Sequence, residues 1–97
     1  MNEKLHTESV DQLFEAILSL ENKDECYRFF EDICTVKELL GMSERLEVAA
    51  LLKNGMTYQE IAGKTGASTA TISRVNRSLT YGCDGYQLVF ERTLKNR

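Results

Sequence analysis

Apolar residues recur along this chain at spacings of three and four, the period of a helix that buries one face. Val10, Leu13, Phe14, Ile17 and Leu18 form the first such set, behind Thr7 or Ser9 as a cap. Asn22 to Asp24 interrupts the pattern. A second set follows, with Cys26, Phe29, Phe30, Ile33 and Cys34 on one side and Tyr27 off it. Thr35-Val36-Lys37-Glu38 has the form of a capping box, in which hydroxyl and carboxylate satisfy each other's free backbone donors. It predicts a short helical piece ending at Gly41. Ser43 is then expected to open a separate helix carrying Leu46, Val48, Ala49, Leu51 and Leu52. Asn54-Gly55 stops it, because glycine supplies a left-handed cap.

Thr57-Tyr58-Gln59-Glu60 is a second capping box, and its helix should end near Gly63 to Gly66. Another helix begins at Ser68 or Thr69 and runs to about Leu79. Tyr81-Gly82-Cys83-Asp84-Gly85 is a predicted loop, and Tyr86, Leu88, Val89, Phe90 and Leu94 lie on a last helix. No strand pairs are evident. The expected class is all-α, with about six helices in a single domain over 1–97. Within it, 8–54 would be dimerisation helices, 57–79 a helix-turn-helix and 84–95 a C-terminal helix.

The first two helices carry more apolar surface than two thin helices can hide in a small monomer: Leu13, Phe14, Ile17, Leu18, Leu20, Tyr27, Phe29, Phe30 and Ile33. Large exposed apolar patches are rare in monomers, so a subunit interface is the favoured solution, with internal cover by the last helix as the alternative. The length of 97 residues points the same way, since a core of that size is limited. Composition is that of an ordinary globular protein, 42% hydrophobic and 28% charged.

The N-terminal residues are polar, which argues against a secretory signal. No stretch approaches the roughly 18 apolar residues of a membrane span. Cys26, Cys34 and Cys83 are an odd number without Cys-x-x-Cys spacing, so neither a disulfide framework nor a zinc site is expected. They are taken as reduced thiols in a cytoplasm, with Cys26 and Cys34 on a buried face. His6 is the one histidine and has no spaced partner, and no glycine-rich phosphate loop or metal cluster appears. An enzyme is not expected, nor is a cofactor.

The net charge of −3 becomes informative once divided along the chain. Residues 1–52 hold five basic against twelve acidic side chains, whereas 53–81 hold Lys53, Lys64, Arg74 and Arg77 against Glu60. One basic segment on an acidic body fits a protein with a single phosphate-facing side. That segment also carries the strongest motif. A helix-turn-helix needs a small residue where its helices cross, and Ala62 provides one. Its turn needs positive φ, which Gly66 supplies. Ile72 and Val75 are the apolar anchors facing Ile61.

On the opposite face stand Ala70, Ser73, Arg74 and Arg77, with Thr69 at the leading edge. Small and hydroxylated groups permit close approach to base edges in the major groove, and arginine can contact guanine or phosphate. Ser68 and Thr71 complete the DNA-facing set, and Lys64, placed in the turn, is a phosphate-contact candidate. The expected partner is double-stranded DNA, bound by a homodimer that regulates transcription. Two alternatives remain: a protein-interaction module that keeps the motif without touching DNA, and a repressor gated by a small molecule.

Over Gly55 to Ala62 and Gly66 to Leu79 the sequence resembles the Trp repressor superfamily. It is most similar to the YerC/YecD-type branch, which shares the trailing Tyr81-Gly82-Cys83-Asp84-Gly85-Tyr86. The resemblance covers about residues 8–94. It implies a six-helix subunit in an intertwined homodimer, with paired reading heads addressing half-sites about one helical turn apart. It also implies a tryptophan corepressor held between two arginines. Arg74 matches the first, but Val75 stands where a glycine should follow. The second falls on Glu44, with Arg45 beside it. Valine would crowd the indole and glutamate would repel the ligand's carboxylate, so tryptophan control is not expected.

Overall fold

The computed structural model describes residues 2–93. After a single 3-10 turn, Glu3–Leu5, it consists of six helices: α1 Glu8–Leu18, α2 Lys23–Ile33, α3 Val36–Lys53, α4 Tyr58–Thr65, α5 Thr69–Tyr81 and α6 Gly85–Thr93. No strand occurs among the described residues, and the protein is all-α. Leu94 and Lys95, expected on the last helix, lie outside the described residues.

Local chemistry sets the helix starts. Thr7, Asn22, Thr57 and Ser68 each sit extended at an N-cap, and each side chain accepts a backbone N–H three residues on. Both capping boxes form. The Thr35 N–H donates to Glu38 Oε1 at 2.8 Å while the Glu38 N–H donates to Thr35 Oγ1 at 3.1 Å. Thr57 and Glu60 repeat the exchange at 3.1 and 3.2 Å. Accepting these bonds stabilises the carboxylates, first through the threonine N–H and then through the hydroxyl, and lowers the pKa of Glu38 and of Glu60.

A lowered folded-state pKa contributes stability that is present at neutral pH and lost as pH falls below the usual glutamate value of about 4.3. The double variant Glu38→Gln/Glu60→Gln keeps an acceptor at each site but has no charge to lose. Its melting temperature should therefore drop less than the wild type's between roughly pH 5 and pH 3. Parallel curves in a pH series of thermal melts would contradict this assignment.

The break expected at Gly41 does not occur. α3 is one helix of 18 residues that runs through Gly41 and Ser43. An isolated glycine inside a helix costs only about 1 kcal/mol relative to alanine. The box at Thr35 pins the start, and Val48 and Ala49, both fully buried, anchor the far end. Ser43 is thus a helix-interior residue, not a cap.

The described residues form two compact units, divided between Leu39 and Leu40. In the first, α1 and α2 contain no buried residue. Phe29 and Phe30 meet edge to face, with centroids 5.6 Å apart, and both are half-buried. Leu18 is 83% exposed and Tyr27 63%. Cys34 is half-buried, but Cys26 is exposed, contrary to the buried face expected for it. It lines an open groove with Lys23, Tyr27, Phe30 and Leu39. The apolar stripe of this unit is only partly covered: Leu13, Ile17, Leu20, Phe29 and Phe30 are half-buried, and Phe14, Leu18, Tyr27 and Ile33 are exposed.

The second unit holds the core. Val48 and Ala49 of α3, Ile61 of α4, Ala67 of the turn after α4, Ile72 and Val75 of α5, and Phe90 of α6 are buried together. Leu51, Leu52, Met56, Ala62, Leu79 and Tyr86 pack around them. Tyr86 stacks on Phe90 within α6 at 6.2 Å, and the Lys53 ammonium of α3 lies 5.5 Å from the Phe90 ring centre, a cation–π contact between the two helices.

Candidate nucleic-acid interface

α4 and α5 pack against each other across a turn of Gly66, Ala67 and Ser68. Gly66 has φ +77°, and its N–H donates to the Ala62 carbonyl at 2.9 Å. That left-handed conformation favours glycine because a Cβ would crowd the backbone. Thr65 locks the turn from inside. Its hydroxyl donates to the Ile61 carbonyl at 2.8 Å and accepts the Ala67 N–H at 3.1 Å. Ala67 drops into the core at 4% exposure, closing the turn against Ile61 and Ile72. Neither Thr65 nor Ala67 stands out in the sequence, since both are small residues in what reads as a surface turn. The available signal is their position beside the glycine.

Ser68 caps α5, its Oγ accepting the Thr71 N–H at 3.1 Å and donating to Thr71 Oγ1 at 3.1 Å. Thr71 is half-buried, so its hydroxyl serves the cap before any ligand. Ile61, Ile72 and Val75 are 1% exposed or less, and Ala62 is half-buried at the helix crossing. With the inner face anchored, residues 100° apart around the helix turn Thr69, Ala70, Ser73, Arg74 and Arg77 outward, and all five are exposed. Lys64 is also exposed, but it lies in the last turn of α4, not in the connecting turn.

Chemically, this is a row of small groups at the start of a helix followed by two guanidinium groups further along the same side. Such a surface can approach base edges closely and bind phosphate, and it has no general acid–base pair. Among the described residues no group of three His, Cys, Asp or Glu is placed to hold a metal ion. No helix of the described residues is long and apolar enough to cross a membrane.

The positions at which the resemblance implies corepressor contacts fall as follows. Arg74 is exposed, Glu44 and Arg45 are half-buried, and Val75 is part of the core. The position expected to be open beside Arg74 carries a buried side chain.

Two crossed helices, a three-residue turn with a left-handed glycine and an exposed outer helix face define a helix-turn-helix. The family model of the Trp repressor protein matches residues 8–94, and the chain belongs to the Trp repressor family. That family is one of repressor proteins and not of enzymes. The chain is 53% identical over 90 residues to YerC of Bacillus subtilis, covering 93% of this chain and 86% of that one. Its fold superimposes on a crystal structure of a TrpR-like protein from Eubacterium eligens with a TM-score of 0.94 and 63% identity, covering 97% of each chain. A crystal structure of a Trp repressor candidate from Staphylococcus aureus gives 0.92 and 53%, over 95% of this chain and 92% of that one.

Proposed function

We propose that this protein is a sequence-specific, homodimeric DNA-binding regulator of transcription, working in the cytoplasm and acting as a repressor. One observation carries the reading: the exposed Ala70, Ser73, Arg74 and Arg77 side of α5, backed by the buried Ile72 and Val75. Thr69 and Ser68 lead that side toward the major groove, and Lys64 reaches phosphate from the end of α4.

The division of labour follows from burial. A unit whose two helices bury no residue has its apolar surface left for a partner, and a second copy of the same chain supplies a self-complementary one. We therefore assign 8–54 to dimerisation, 57–79 to DNA reading and 84–95 to the C-terminal helix, all serving one functional domain over 1–97. Binding without an amino-acid corepressor is supported by Val75, whose side chain occupies the core.

Titration with duplex genomic fragments at several salt concentrations tests this reading. Neutralising phosphates releases counterions, so the logarithm of the binding constant should fall steeply and linearly with the logarithm of salt. A protein that binds no fragment in a salt-sensitive way would overturn it, and capture of a protein partner under the same conditions would point to the interaction module instead.

A further inference from the structure

Tyr81 is the most exposed large hydrophobic residue of the second unit, at 81%, and the DNA-reading surface described above does not include it. It is the last residue of α5. Counting turns, Ala70, Arg74, Arg77 and Tyr81 succeed one another at spacings of four, three and four, so Tyr81 continues the outward stripe that holds both arginines. Its place there is built in. The Gly82 N–H donates to the Ser78 carbonyl at 2.9 Å, and a Cβ on Gly82 would collide with that same oxygen. Glycine at 82 therefore lets α5 remain helical through Tyr81 before the chain turns off at Asp84, whose φ is +60°.

Length decides what the stripe can reach. At about 1.5 Å per residue, the path from Thr69 to Tyr81 spans about 18 Å, whereas the major groove is about 12 Å wide. With its N-terminal residues at the base edges and its axis inclined across the groove, α5 carries its last turn out to the sugar-phosphate wall. A neutral phenol with a hydroxyl donor at its tip suits that position, because it can reach a phosphate oxygen beyond the partial negative charge of the helix's C-terminal end. We propose that Tyr81 donates a hydrogen bond to a backbone phosphate at the margin of each half-site, fixing the register of α5 without reading sequence. This rests on the assignment of α5 as the DNA-facing helix.

Tyr81→Phe removes the donor alone, and at so exposed a position it leaves the fold intact, which a thermal melt verifies. Duplex binding should weaken about tenfold for each half-site, the scale of a lost hydrogen bond to a charged group, and so on the order of a hundredfold for the two together. The loss should be equal on preferred and unrelated sequences. The salt slope should not change, because a neutral donor releases no counterion. Phosphate-ethylation interference should lose one position per half-site in the variant. Wild-type affinity in Tyr81→Phe would overturn the proposal while leaving the DNA-binding reading in place. A changed base preference would also overturn it, as would a change in oligomeric state on sedimentation, because Tyr81 would then be reading bases or contacting another copy. Failure of the wild type to bind any duplex would instead remove the assignment of α5 and this inference with it.

Discussion

Arg77→Ala should reduce affinity for duplex DNA on the order of a hundredfold while leaving the melting temperature unchanged. The side chain is exposed on α5, one turn beyond Arg74 and on the same face as Ser73. It makes no part of the buried core, which is closed by Ile72 and Val75 behind it. A well-placed arginine contact to a base or phosphate is worth about 1–3 kcal/mol, and a dimer would lose it twice. Two losses of about 1.4 kcal/mol each multiply to roughly two orders of magnitude. If the arginine meets phosphate, the variant's salt slope should also become shallower by about one ion per head. If it meets guanine, the loss should be concentrated on preferred sequences. Fluorescence anisotropy titrations of both proteins on one duplex measure it, and equal affinity would remove Arg77 from the interface.

Ile72→Ala should have the largest effect on folding. Ile72 is fully buried among Val48, Ala49, Ile61, Val75 and Phe90, so its removal opens a cavity where four helices meet. Substitutions of this type cost about 2–5 kcal/mol, a large share of a small domain's total stability of about 5–15 kcal/mol. At about 4–8 °C per kcal/mol, melting should fall by about 8 °C or more. Ser73→Ala, one residue on and exposed, should melt like the wild type. The contrast matters because the two residues share a turn of helix and differ in the side they face. Similar melts for the two variants would mean that the faces of α5 are misassigned.

What could be read from the sequence, and what could not, follows from the range of each interaction. The two capping boxes were legible because a hydroxyl and a carboxylate three residues apart satisfy each other locally. Gly66 and the Ile72–Val75 anchors were legible for a related reason, since the turn's φ and the helix period fix which side faces inward. The continuity of α3 through Gly41 was not, because the decision lies in the anchoring of the far end by Val48 and Ala49, and not in the glycine. Cys26 was placed on a buried face because periodicity identifies an apolar stripe but says nothing of what lies against it. Thr65 and Ala67 escaped notice because a hydroxyl that bonds two backbone groups inside a turn has the same letter as one that faces water. Tyr81 reads as loop because Gly82 marks a break without showing that the residue just before it is still helical.

In the homodimer proposed above, α4 and α5, packed around a buried core of Ile61, Ile72 and Val75, form the DNA-reading head. Selecting bound fragments from a pool of random duplexes addresses it most directly. Two reading heads related by two-fold symmetry should enrich an inverted repeat whose half-sites lie about one helical turn, roughly 34–36 Å, apart. Enrichment of an asymmetric site, or of no sequence at all, would contradict it.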